Sequence, residues 1–226
     1  MKIVINHLTR MEKGYVCVAG IRASTRSHVR PVTPGQRLPM AVAETLGGPF
    51  GIRGVVELGG VRECGTPPLV EDVEFRLDQA AMVGRFEKAE FWKLICSVAG
   101  SRLREIFGDD LEQIGSNLAM PLGVGKASLG CLLPATGPQL WVNSWGKVRL
   151  LIDDVDGSYD LSVTDLRLHN PADNTPDAVA VAELQKRLSG ASRCVLSMGL
   201  TKAWTKPGDS QAHHWLQVNG IHVEGD

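Results

Sequence analysis

Aromatic residues make up only 5% of this 226-residue chain, which weakens any case built on extended aromatic platforms for stacked bases. Long apolar runs are also missing. Residues 148–152, among the longest, are interrupted by Arg149 and fall far short of the ~20 residues of a spanning helix. The opening Met-Lys-Ile-Val-Ile-Asn-His holds three consecutive apolar residues after the lysine, not the roughly 7–15 of a secretory signal. A cytoplasmic protein with no membrane segment is therefore expected. Five cysteines (Cys17, Cys64, Cys96, Cys131, Cys194) stand far apart and never form a Cys-x-x-Cys pair, which argues against a disulfide framework or a zinc ribbon. Reduced thiols in core positions are the natural reading.

Strong net charge is the last absence. The total of −1 gives no electrostatic reason by itself to expect nucleic acid. Its distribution says more: residues 1–60 carry eight Lys/Arg against three Asp/Glu, +5, while 61–120 sum to −4 and 121–226 to −2. With 43% hydrophobic and 22% charged residues and no low-complexity tract, the whole chain is expected to fold.

Apolar and β-branched runs at 2–8 and 14–21, split by a polar Thr-Arg-Met-Glu-Lys connection, predict a hairpin. Further strand candidates lie at 28–32, 52–58 and 70–77, between Gly- and Pro-rich stretches. From 79 to 107 the apolar residues recur at three- and four-residue steps, which predicts a long helix. The second half offers strands at 127–133, 147–154, 159–168, 193–203 and 214–223. A helix at 176–189 separates the third from the fourth, with Thr175 as N-cap, Pro176 in the first turn and Gly190 as the stop. Three strands, a helix and two strands is the order of an oligonucleotide/oligosaccharide-binding (OB) barrel. The expected fold is thus mainly β with helices (α+β): two consecutive OB-like barrels at 1–78 and 116–226, joined by a helical connector at 79–115.

Several stretches carry a family resemblance: Val4-Ile5-Asn6-His7-Leu8-Thr9-Arg10-Met11, Gly14-Tyr15-Val16-Cys17-Val18-Ala19-Gly20-Ile21, His28-Val29-Arg30-Pro31-Val32 and His214-Trp215-Leu216-Gln217-Val218-Asn219-Gly220-Ile221-His222-Val223-Glu224. Together they resemble the prokaryotic dual OB-containing domain family over nearly the whole chain. The resemblance implies two OB barrels and supplies no catalytic residues.

Familiar catalytic patterns fail on inspection. Gly123-Val124-Gly125-Lys126-Ala127-Ser128 lacks the first glycine of a phosphate loop, where Met120 stands, and has Ala127 where Ser or Thr is needed. His213 and His214 are adjacent, so in a strand they point to opposite faces, and no acidic or cysteine cluster completes a metal site with them or His222. Ser128 and Ser197 lack the surroundings of a nucleophile elbow. Asp153, Asp154 and Asp156 read as a solvated turn. No catalytic residue, metal or other cofactor is expected.

What remains is basic and indolic. Arg10, Arg22, Arg26 and Arg30 belong to the +5 segment, and arginine forks match phosphate oxygens. Trp145 lies in a polar turn, and Lys202-Ala203-Trp204-Thr205-Lys206 sets an indole between two cations at a strand end. These eight residues are the candidate binding set for single-stranded DNA or RNA, or for a nucleotide-containing ligand. Two other readings stay open on sequence alone: a protein–protein adaptor in a larger prokaryotic assembly, which the near-zero charge favours, and an enzyme acting on nucleic acid or a small metabolite.

Overall fold

The computed structural model describes residues 1–225. The strands form two curled sheets. The first contains β1 (Lys2–Arg10), β2 (Tyr15–Arg22), β3 (Ser27–Val32), β4 (Gly54–Glu57), β5 (Val61–Glu63), β6 (Asp72–Phe75) and β7 (Ala81–Arg85), bonded in the order β5-β6-β3-β2-β1-β4-β7. Only Leu58, Gly59 and Gly60 separate β4 from β5, and Gly59 takes the left-handed φ of 70° that the sharp bend requires. Since β4 bonds β1 and β5 bonds β6, the two act as one bent fourth strand that closes an OB-like ring, with β3 and β6 parallel.

The second sheet repeats the plan with the break elsewhere. It contains β8 (Leu129–Leu132), β9 (Gln139–Val142), β10 (Val148–Asp154), β11 (Gly157–Val163), β12 (Cys194–Leu200) and β13 (His214–Val223), in the order β9-β10-β11-β13-β12-β8. Its first strand is split: β8 bonds β12, β9 bonds β10, and β11 and β13 run parallel.

The long helix expected over 79–107 is not there. Ala81–Arg85 is strand β7, added to β4, and is followed by α1 (Lys88–Ser97) and α2 (Leu103–Phe107). The interruption has a local cause. At Ala99–Gly100 the chain is extended and pairs with β8, an arrangement tertiary pairing imposes over the helical periodicity. In the second barrel α3 (Ala178–Gly190) starts later than expected, because Asp177 and not Thr175 caps it: the Asp177 carboxylate accepts from the amides of Val179 and Ala180. Gly190 is the helix's last residue. Among the described residues, no helix is long and apolar enough to cross a membrane.

β1 is buried on both faces, and a bulge decides which side chain goes where. Ile3 and Ile5 enter the first barrel's core, and the pairing with β2 then slips between Ile5 and His7, with Asn6 as the extra residue. The alternation reverses, so Leu8 enters the core while His7 and Thr9 face outward. That outward face meets the second barrel. Val4 and Ile21 pack there with Phe91, Leu94 and Ile95 of α1 and with Cys131 and Val195.

Two further contacts fix the barrels together. The Glu71 carboxylate accepts from the amide of Ser128 (2.9 Å), its hydroxyl (2.6 Å) and the amide of Leu129 (3.2 Å), which anchors the start of β8. Leu166, from the segment between β11 and α3, is buried in the first barrel's core.

Candidate nucleic-acid interface

Between the barrels lies a cavity of about 190 Å³. The first barrel supplies His7, Thr9, Arg10, Cys17, Arg30, Gln36 and Arg37; the second supplies Leu129, Thr201, Lys202, Gln217 and Asn219. In OB terms this is where the β2–β3 face of one barrel meets the loop between strands four and five of the other, and both features are ligand-binding elements of the fold. Arg10, Arg30, Arg37 and Lys202 line the cavity, and no Asp or Glu does.

The floor is buried. Arg30, 6% exposed, donates from Nε to Asp72 at 2.5 Å, while its Nη2 has no partner. His7 is 2% exposed, and neither ring nitrogen has a hydrogen-bond partner. Asn219 comes near enough to act on the His7 ring but lies outside hydrogen-bonding geometry; its amide donates to Thr164 Oγ1 at 3.0 Å instead. Burial, then His28 and His222, hold the His7 pKa well below the usual histidine value, so the ring is neutral. Burial likewise raises the Cys17 thiol pKa, against the pull of Arg30, and keeps it a thiol. Arg10 is half-buried with Nε unpartnered, whereas Arg37 and Lys202 are exposed at the rim.

The residues singled out from the sequence divide into three groups. Arg10, Arg30 and Lys202 converge on the cavity. Arg22 and Arg26 do not: they stand at the turn end of the β2–β3 hairpin, about 10 Å or more beyond Ala19 at 3.3 Å per residue. There Arg22 donates to Met1 Sδ, and exposed Arg26 holds a φ of 58°. The third group lies on two loops of the second barrel. Trp145, 81% exposed, tips the β9–β10 turn, and Trp204 and Lys206 lie in the loop from β12 to β13.

That last loop differs from the picture of an indole held between two cations. Lys206 Nζ sits 3.3 Å from the centre of the Trp215 ring, a cation–π contact with a buried indole that the sequence reading did not single out. Trp215 Nε1 donates to the Trp204 carbonyl at 3.2 Å, and the two rings pack at 6.4 Å. Trp204 itself remains 45% exposed. Trp204→Ala is accordingly expected to cost only about 0.5–1.5 kcal/mol, the value of an aromatic pair, in a urea-unfolding comparison with wild type.

Behind the cleft runs a buried polar seam. Asn6 Nδ2 donates to Ser197 Oγ (3.1 Å) and Cys131 Sγ (3.4 Å), and Ser197 Oγ donates to the Asn6 carbonyl (3.0 Å). His222 Nε2 lies 3.0 Å from Ser197 Oγ. A serine touching a histidine suggests a nucleophile and its base. Here Ser197 is 0% exposed and its proton is committed to the Asn6 carbonyl, so the pair joins the barrels. Among the described residues no cluster of three or more His, Cys, Asp or Glu side chains could hold a metal.

Fold and cleft together define a tandem OB-barrel protein whose barrels share one basic cavity. The chain belongs to the dual OB-containing domain family, whose sequence pattern matches residues 1–221. No curated protein sequence matches it. Among solved structures, it is similar to a murine DNA-binding protein bound with double-stranded DNA, at 7% identity over 99% of this chain and 96% of that one, TM-score 0.33. It is also similar to the HINa domain of Ifi202 in complex with 20-bp double-stranded DNA, at 11% identity over 99% and 94%, TM-score 0.37. A third is the HINb domain of p204, at 9% identity over 99% and 95%, TM-score 0.36.

Proposed function

We propose that this chain binds single-stranded nucleic acid or a nucleotide-containing ligand, with phosphate in the inter-barrel cleft and bases over the rim loops of the second barrel. The observation that carries the reading is the cleft lining, in which four cations gather without one carboxylate in a chain of net charge −1. Such a surface attracts phosphate and offers nothing to a cationic partner. The rim adds to it. Trp204, 45% exposed, stands two residues from Lys202 of the cleft lining, on the same loop. An exposed indole beside phosphate-binding cations is how sequence-tolerant single-strand binding works.

Fluorescent single-stranded and duplex oligonucleotides titrated at several salt concentrations test the reading. Single strands should bind more tightly than duplex, with a steep loss of affinity as salt rises. Replacing Arg37 and Lys202 together by alanine should weaken binding of all sequences about tenfold or more and flatten the log–log salt slope by about 1.4, or ~0.7 for each lost phosphate contact. Arg22→Ala with Arg26→Ala, at the far end of the hairpin, should change it little. No binding to either probe at low salt would overturn the reading.

A further inference from the structure

The cleft is smaller than a nucleotide. Its volume of about 190 Å³ lies below the roughly 300 Å³ at which pockets begin to enclose small organic ligands. A strand threading through it would need room for at least one whole nucleotide, so what enters is a phosphate with part of its sugar. The floor groups describe that phosphate. Arg30 Nη2 and Arg10 Nε are buried donors without partners, and neutral His7 contributes one N–H that also has none. His7 and Arg30 lie close enough to act on one another, and Arg10, three residues further along β1, stands at the edge of the cavity. Charge points the same way: Asp72 balances Arg30, which leaves Arg10, Arg37 and Lys202 uncompensated within the lining. A monoester brings about −2 at neutral pH, a diester about −1.

We propose, building on the reading that this chain binds nucleotide ligands, that the cleft seats the terminal phosphate monoester of a nucleotide on Arg30 and His7, with Arg10 and Lys202 at its edges. The protein then recognises a strand end or a mononucleotide, and the rest of a strand leaves the cleft toward Trp204 on the loop that carries Lys202.

Fluorescence anisotropy with an internally labelled single strand of one sequence decides this. The strand is supplied with a 5′-phosphate, with a 3′-phosphate, with hydroxyls at both ends, and as a covalent circle. One phosphorylated end should bind about tenfold or more tighter than the hydroxyl-ended strand, and the circle should gain nothing. Competition with adenosine monophosphate then separates the two sources of the same chemistry. Displacement at a concentration comparable to that of the phosphorylated strand identifies a mononucleotide ligand, and failure to displace identifies a strand end; either supports the proposal. His7→Gln should erase the preference for the phosphorylated end, as should Arg10→Ala at the half-buried edge, which keeps the test valid if the first variant does not fold. Equal binding of the phosphorylated, hydroxyl-ended and circular strands would overturn the terminal-phosphate proposal and leave nucleic-acid binding standing. No binding of any probe would remove both.

Discussion

Lowering the pH from 7 to 5 should strip this protein of much of its stability. His7 and His222 are buried and His28 is half-buried where the barrels meet, and desolvation holds all three neutral: His28 is lowered to about 4, His222 to about 3, and His7 also falls well below its usual value. Their neighbours reinforce the shift. His28 and His222 disfavour a charge on His7, and Arg167 disfavours one on His222, against the smaller opposing pull of Asp165. Unfolded, each ring titrates near 6.5. Their stabilisation is therefore complete above about pH 6.5 and is lost as pH falls from there through about 4, because the unfolded chain takes up protons that the folded one refuses. Each histidine removes about 1.4 kcal/mol per pH unit over that window. With these three and His169, which is buried and likewise lowered to about 4, acting together, a total stability of about 5–15 kcal/mol is exhausted within a few pH units. Urea midpoints at pH 7.5, 6 and 5 should fall steeply with little change in m-value. His28→Gln, where it folds, should lower the slope by about one proton; a flat profile between pH 7 and 5 would refute the account.

Asp165→Ala should cost about 1.5–3 kcal/mol, the cost of removing a buried charged acceptor from its donors when the Arg167 guanidinium it pairs with is 42% exposed. The Asp165 carboxylate is 1% exposed and accepts from the Arg167 amide (3.1 Å), Arg167 Nε (3.0 Å) and Nη2 (2.6 Å), and the Ile221 amide (3.1 Å). Burial works against its charge, and Arg167 more than compensates, so its pKa still lies below the usual carboxylate value. Alanine would leave the buried Ile221 amide without its acceptor, while the Arg167 guanidinium keeps the Ile221 carbonyl at 2.7 Å and its contact with solvent. At about 2–4 °C per kcal/mol for a chain of this size, the thermal midpoint should drop by roughly 3–12 °C. Asp165→Asn keeps one acceptor oxygen and should fall between the two. A change under about 1 kcal/mol for the alanine variant would mean that water or a neighbour re-satisfies the site.

Most strands of both halves were legible in the sequence because Gly- and Pro-rich breaks and apolar runs reflect local physics, and the β1–β2 hairpin forms as its two runs predict, whereas the short strands β5 and β9 were not expected. The helix over 79–107 was misread for the converse reason: Ala81–Arg85 is a strand only because β4 offers it an edge, which no local period records. Within the cleft, Arg10, Arg30 and Lys202 could be chosen by charge alone. His7 and Asn219 could not. Both owe their positions to bulges, one at Asn6 and one where β12 slips against β13 between Ser197 and Met198. The available signal was the adjacent polar pair Asn6-His7 inside an otherwise apolar run, which a strand with one solvent face does not need. Trp215 was passed over in favour of Trp204: it shares a strand face with Gln217, opposite Leu216 and Val218, and is buried by the Trp204–Lys206 loop, a contact that no local period records.

Leu166 also has a bearing on how the protein is made. It is buried among residues of the N-terminal barrel, the Thr164 carbonyl accepts from the Arg10 amide at 2.8 Å, and Asn174 Nδ2 donates to the Met11 carbonyl at 3.1 Å. During synthesis, which delivers about 5–20 residues per second, an N-terminal unit ordinarily folds before its successor emerges. Here the first barrel waits for a side chain some eighty residues past its own last strand, Ala81–Arg85. The nascent N-terminal half leaves the ribosome with an open seat in its core, and it is completed only when the second half arrives to fill it.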